Sequence, residues 1–372
     1  MAKEVNIGRL LGLNNRLPDA RMSSATNEGD AQWLRVAQNV DLGAGGYLRR
    51  RLGFALQAAG HWHSIWADSQ DAYAVVDGDL CRIGPDSLAP TVLIPAVGER
   101  RMSFARLPDG LVYWTNGVQL GRLAGAVARS AVTERPNPKP TISVVAGGLG
   151  AGVYQVCFTR LGVDGESAST EPESFALGDG QGLAFTGLEP DMLVYATGVD
   201  GEVFNQIDNG AECATLMLGE MPAGQALSHY RGSLLVARGN FLYISEPYRY
   251  GLFNPSRGFI PFPTEITAVA PCEDGVYVCA DKTYWLPADP LNTSPTVVLP
   301  FGALDGAVVF DDEAVAVYWQ TSKGLAVGKP SGAVSLPQNK TLRFDAADSG
   351  VTWLRQSDGD KHLVTTRVSG EI

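Results

Sequence analysis

The 372 residues, 45% of them hydrophobic, are enough for two or three domains with a sizeable core. A formal net charge of −11 argues against a tight, phosphate-neutralising nucleic-acid binder, which needs clustered Lys and Arg. It leaves room for a wall past which DNA slides, because like charge repels the phosphates. No stretch approaches the ~18 apolar residues of a membrane-spanning helix, and Met1-Ala2-Lys3-Glu4 is not followed by the apolar core expected of a signal peptide.

The 43 Gly and 22 Pro are spread along the chain, which suits many turns, and no long segment carries a convincing helical period. The expected class is all-β. Residues 1–56 form an N-terminal arm and hairpin, with Val40–Leu42 as one side, Gly43–Gly46 as the turn and Tyr47–Arg51 as the return. Arg49, Arg50 and Arg51 would alternate between the two faces of that strand, so a structural or interface role is favoured over a nucleic-acid patch.

Residues 57–136 contain two hairpins, Asp71–Ile83 and Asp109–Leu123, each a pair of β-forming runs bounded by Asp/Gly turns. Similar units recur at Tyr230–Ser245, Glu273–Pro287, Asp312–Gly328 and Ser349–Arg367. Their starts step by roughly 38 to 43 residues, the spacing of β-propeller blades that bury their faces by stacking on neighbours. One interval, from Asp109 to Tyr230, is longer by roughly 80 residues, about the size of a small sandwich. The expectation is a propeller of about six blades, in parts 57–136 and 222–372, interrupted at 137–221 by a fibronectin-III or immunoglobulin-like β-sandwich.

Thr133–Pro140 (TERPNPKP) reads as a Pro-rich linker into that insertion. Within it, Val153–Phe158, Glu166–Leu177, Leu183–Thr186, Leu193–Ala196, Glu202–Ile207 and Ala214–Leu218 are expected strands, with an Asp164-Gly165 turn. Glu246–Pro263 reads as an aromatic, Pro-rich connection too irregular for a strand, packed over a propeller face or held between subunits.

Few residues invite chemistry. His61 and His63 would share a strand face and could bind a metal, but no third ligand lies near in sequence, and a satisfied structural pair is favoured. Asp77/Asp79, Asp358/Asp360 and Asp311-Asp312-Glu313 are read as turn carboxylates. The odd set Cys81, Cys157, Cys213, Cys272 and Cys279 lacks a CxxC spacing and reads as reduced, buried thiols, with a Cys272–Cys279 bridge disfavoured. No P-loop, GxSxG or HExxH is present, and the Gly147–Gly150 run precedes no helix. The expected sets of catalytic, cofactor-binding and metal-ligating residues are therefore all none.

Three segments resemble one family. Gly12-Leu-Asn-Asn-Arg-Leu-Pro18, followed by AQNVDL at Ala37–Leu42 and GGYLRRRLG at Gly45–Gly53, resembles the N-terminal signature of the tail nozzle, tail tubular protein B or phage stabilisation proteins of short-tailed bacteriophages. Leu52 stands where that pattern usually has Pro. Gly152–Ser169 (GVYQVCFTRLGVDGESAS) and Pro222–Glu246 (PAGQALSHYRGSLLVARGNFLYISE) resemble two later family segments, in the same order.

The resemblance implies a homo-oligomeric ring, commonly sixfold, at the distal end of the virion tail, assembled in the bacterial host's cytoplasm. It implies tail adaptor and tail fibre or spike proteins as partners, and genomic DNA passing through without sequence-specific binding. The ring would extend the DNA channel and gate ejection, with no catalytic role. A host-surface receptor or glycan-binding module is the alternative. A glycosidase is a weaker one, raised because Ala346–Trp353 resembles a sialidase Asp box with Ala for its first Ser.

Overall fold

The computed structural model describes residues 9–26, 29–43, 46–51, 53, 55–163, 165–311, 315–357 and 360–368. The expectations for Ala44-Gly45 in the arm turn, Leu52, Asp164, Asp312-Glu313 and the Asp358-Gly359 tip lie outside the described residues. Two compact units divide the chain: 1–60 with 263–372, and 61–262. The described residues are all-β, with helix limited to two single 3₁₀ turns at Asp19–Arg21 and Pro330–Gly332. None of their helices is long and apolar enough to cross a membrane.

In the 61–262 unit the hairpin Ala72–Val76/Asp79–Ile83 is the centre of a four-stranded antiparallel sheet, sheet I, completed by Trp62–Ala67 and Pro90–Ile94. Val112–Thr115/Leu120–Ala124 centres sheet II in the same way, between Ser103–Arg106 and Val127–Ser130. Both central strands of sheet I are mostly buried on both faces, which explains why their sequences run apolar instead of alternating. Sheets I and II share a core of Tyr73, Val75, Leu80, Met102, Val112, Trp114 and Leu123. Trp66, Tyr73 and Phe104 stack within it at 6.0–6.4 Å.

Sheet III is built on Ser233–Arg238/Phe241–Glu246 and has six strands. It packs on sheet II through Leu107, Tyr113, Leu227, Leu234, Val236 and Tyr250, although an entire subdomain separates them in sequence. The junction is fixed by hydroxyls. Thr115 Oγ1 donates to Gly224 O (2.9 Å) and accepts from Gly224 N (3.1 Å), and Ser103 Oγ accepts from Leu227 N (3.0 Å). Between Ser130 and Gly219 the chain makes an excursion from the stack of sheets I, II and III.

That excursion holds two sheets. Thr141–Leu149 pairs with Gln181–Thr186, while Gly152–Gly162 is the hub of a five-stranded sheet with Gly165–Glu166, Glu173–Leu177, Met192–Ala196 and Asn205–Gln206. Phe158 and Phe185 meet edge to face at 6.0 Å across the two sheets. The expected strand at Glu202–Ile207 shrinks to Asn205–Gln206, and Ala214–Leu218 is not a strand. Local polar pairing wins there: Leu218 N donates to Thr215 O and Met217 N to Ser169 Oγ.

The expectation for Glu246–Pro263 is corrected. The segment contains the strands Arg249–Phe253 and Phe259–Pro261, both paired with Phe241–Glu246. Tyr248 takes φ +58 and turns the chain tightly, and Tyr250 and Leu252 alternate inward. Two of its rings pack on the strand beside them: Phe253 lies edge to face on Tyr243 at 5.2 Å and Phe259 on Phe241 at 5.8 Å, while Tyr248 is exposed.

In the other unit, Gly275–Cys279/Thr283–Pro287 centres the four-stranded sheet IV, with Tyr277 opposite Trp285 and Cys279 opposite Thr283. Every residue of the two strands but Pro287 is buried. The hairpins Ala316–Thr321/Gly324–Gly328 and Ser349–Ser357/Asp360–Val368 do not form separate sheets. Ala303–Asp311 joins them into the six-stranded sheet V, through a parallel bridge at Asp305 and Ser349. Sheets IV and V close on Tyr277, Trp285, Val317, Trp319 and Ala326.

Candidate functional site: the N-terminal clamp and its arm

The first signature segment folds as a clamp. Strand Arg9–Leu13 runs parallel to Gly29–Leu34 and delivers Asn15 and Arg16 to segment 339–343. An Asn side-chain amide carries one carbonyl and one N–H₂ group, so it can mimic a peptide unit. Asn15 Nδ2 donates to Arg343 O (2.8 Å) and Asn15 Oδ1 accepts from Arg343 N (2.6 Å), while Asn15 N donates to Thr341 O (3.0 Å). Arg16 Nε donates to Leu342 O (2.9 Å), and its guanidinium also reaches Asn339 Oδ1 (3.3 Å). Asn14 is buried and turns inward, where its Oδ1 accepts from Arg16 N (3.1 Å) and Leu17 N (3.0 Å). That Asx turn holds the two residues that follow in their bonding geometry.

Beyond the clamp the arm is exposed. Val40–Leu42 pairs with Leu48–Arg50, as the sequence suggested, and all three residues of the return strand face solvent. Arg51 donates from Nε (3.0 Å) and a terminal nitrogen (2.7 Å) to Asp41 Oδ1. The hydrogen bond from Arg51 holds the Asp41 carboxyl below its ordinary range, with burial opposing it. The arginine run is thus tied in part to the hairpin itself. Tyr47 is 80% exposed, Leu56 85% and Val36 65%, three apolar side chains open to solvent.

The other singled-out residues are placed as follows. Asp77 (φ +51) and Gly78 (φ +85) form the left-handed turn pair of a tight hairpin. Asp77 Oδ1 accepts from His61 N (2.8 Å) and Asp79 Oδ1 from Ala96 N (2.8 Å), so both carboxylates serve the turn and its flanks. Sequence reasoning missed Glu99. Its Oε2 lies 3.1 Å from His61 Nδ1 and 3.7 Å from His63 Nε2. In the Ala346–Trp353 stretch the strand starts at Ser349, and Trp353 is partly exposed.

The five cysteines are free and buried. Burial pushes the Cys272 thiol up to about 11 and the Cys279 thiol to about 12. Cys157 is raised by its hydrogen bond with Cys213 and by burial. Cys272 and Cys279 sit in different register pairs, opposite Gly275 and Ala268, and are not bridged.

No protein-family model and no curated protein matches the chain. Among solved structures it is similar to the Pan2 WD40 domain of Neurospora crassa (12% identity over 73% of this chain and 76% of that one, TM-score 0.34). It is also similar to a chain in the structure of BBS1N in complex with ARL6DN (11%, 83% and 88%, TM-score 0.35) and to one in a mitotic checkpoint complex (10%, 87% and 100%, TM-score 0.32). At these scores no property of those proteins carries over.

Proposed function

We propose that this chain is a structural virion protein of a short-tailed phage, a subunit of the distal tail nozzle ring that extends and gates the DNA ejection channel. In this reading the blade-like sheets belong to a β-propeller of about six blades, and the excursion at 137–221 is a fibronectin-III-like module. The observation that carries it is the use made of the signature residues. Asn15 and Arg16, at the centre of the family-like motif, fasten the start of the chain to segment 339–343, and Asn14 holds their turn through its side-chain oxygen. The motif thereby has a mechanical job that suits a wall-forming subunit under internal pressure.

The exposed arm beyond it, with Val36, Tyr47 and Leu56, is the surface offered to neighbouring copies or to the tail adaptor. Fibre or spike proteins are the expected partners at the distal side. The net charge of −11 fits a channel wall that repels DNA and does not trap it. The subunit would assemble in the bacterial host's cytoplasm and reside in the virion tail, with a passive role in place of catalysis.

Copurification tests this reading against the receptor-binding alternative. Tagged chain is incubated separately with tail subassemblies and with host envelope fractions. Retention of the tail adaptor is the expected result, and selective retention of envelope glycans or proteins would favour the receptor module.

A further inference from the structure

We infer that His229 is a proton-operated latch: its neutral ring holds two neighbouring turns at one end of sheet III, and its protonated ring releases them. The inference is independent of the nozzle reading. Strand Ala226–Tyr230 pairs with Ser233–Arg238, and Tyr230 stands opposite Ser233, so Arg231 and Gly232 are the two turn residues. Both take the left-handed region, at φ +45 and +81, as a tight hairpin turn of the primed type requires. Gly232 is buried, and a buried main-chain N–H needs an acceptor. His229 supplies it: Gly232 N donates to His229 Nε2 at 3.1 Å. An imidazole nitrogen accepts only while it carries no proton, so this bond fixes the neutral ring with its proton on Nδ1.

The second turn hangs on the first. Gly232 O accepts from Tyr248 N at 2.8 Å. A Cβ on Gly232 would stand 3.0 Å from the Tyr248 ring, so that ring lies against the glycine. Tyr248, at φ +58, turns the chain between Phe241–Glu246 and Arg249–Phe253, and it is exposed. One imidazole thus holds Gly232, and Gly232 holds the tip of the neighbouring turn. A proton on Nε2 converts the acceptor into a second donor facing the Gly232 N–H. The bond is then lost and a buried donor is left without a partner, the costly outcome for a main-chain amide.

The surrounding charges do not cancel this response. On the sheet II side stand Asp109 and Arg106. The Asp109 carboxylate accepts from Tyr113 Oη (3.0 Å) and Leu111 N (3.0 Å), and Arg106 is paired with Asp68 and Asp71. On sheet III, the Arg231 guanidinium lies 5.4 Å over the Tyr230 ring, and Arg238 is at the far end of its strand, opposite Phe241. Glu246 faces Arg257 at 3.9 Å, and Arg249 donates to Ala214 O (3.0 Å). Burial raises the phenols of Tyr113 and Tyr250, which stay neutral. Burial holds the His229 ring below its ordinary 6.5, and the opposing pull of Asp109 is the smaller effect. The folded chain therefore binds this proton less readily than the unfolded chain. The hold is complete above pH 6.5 and is lost as pH falls through the folded value.

Amide hydrogen exchange of the full chain, resolved by NMR and corrected for the intrinsic rate at each pH, tests the latch. Protection of the Gly232 and Tyr248 N–H groups should fall about tenfold between about pH 7.5 and about pH 5, the scale of one lost hydrogen bond. Amides of the buried strand Gly275–Cys279 should keep theirs. In His229→Gln, whose side chain takes no proton in this range, Gly232 and Tyr248 should be equally protected at both pH values. The parent alone gives a second reading that does not depend on the variant folding. Its His229 ring should titrate below 6.5, and the Gly232 amide resonance should follow the same curve. Constant protection at Gly232 and Tyr248 in the parent would overturn the inference, as would a loss of the same size in folded His229→Gln. So would a ring that titrates at 6.5 without moving the Gly232 resonance.

Discussion

Asn15 and Arg343 exchange two hydrogen bonds across 328 residues of chain, side-chain amide to main chain, at 2.8 and 2.6 Å. The contact joins the start of one compact unit to its far end. Asn15→Ala removes both bonds and leaves the Asn15 N–H to Thr341 bond in place. The expected loss is about 1–3 kcal/mol, at the usual net value of an intramolecular hydrogen bond. It is read as a lower urea midpoint at unchanged slope. An unchanged midpoint would show that the clamp contributes nothing to stability.

Gly328 is required by its neighbours. A Cβ there would stand 2.5 Å from Tyr277 and 2.6 Å from Trp319, two rings 5.0 Å apart in the core between sheets IV and V. Gly328→Ala should cost about 1–3 kcal/mol through overpacking. Trp319→Ala, which empties a fully buried site, should cost about 3–5 kcal/mol. Thermal unfolding ranks the two, and a neutral Gly328→Ala would mean that the rings yield without strain.

Acid should weaken the 61–262 unit through Asp68. Burial raises its pKa, but the hydrogen bonds from Arg106 and from the Asp71 and Gln70 amides outweigh burial and leave it lowered. A carboxyl with a depressed folded pKa contributes stability above its unfolded value of about 4, and that contribution is lost as pH falls through the folded value. Asp68→Asn should therefore be less stable than the parent at pH 7, by about 1–3 kcal/mol for charged hydrogen bonds. The difference should shrink below pH 4. Parallel melting curves from pH 7 to pH 3 would refute this if the gap stayed constant.

The thiols should be silent in the folded protein. All five cysteines are buried, and burial raises Cys81, Cys272 and Cys279. The thiolate is the reactive form. Ellman's reagent at pH 8 should label little before denaturant is added and all five positions after it. Rapid labelling of native protein would contradict the buried placement.

The hairpins were legible because each carries Asp/Gly turn chemistry between short β-forming runs. Asp71–Ile83 and Glu273–Pro287 fold within a residue or two of the expected limits. The segment 246–263 was not, because its prolines and aromatics hide a tight turn at Tyr248 and an edge strand ending at Pro261. Sheet sharing was also hidden. One parallel bridge, Asp305 to Ser349, merges two hairpins that look equivalent in sequence. The clamp and the approach of Glu99 to His61 and His63 depend on tertiary pairing between distant segments, which leaves no periodic trace. The Asn-Asn-Arg motif marked where to look, and only the fold assigned its partners.

Single-particle reconstruction of the intact virion tests the central proposal most directly. The prediction is a closed ring of this chain at the distal end of the tail, with the arm around Tyr47 and Leu56 in contact with a neighbouring copy or the adaptor and an acidic wall lining the channel. A chain placed outside the tail, or a channel wall lined with arginine and lysine, would contradict it.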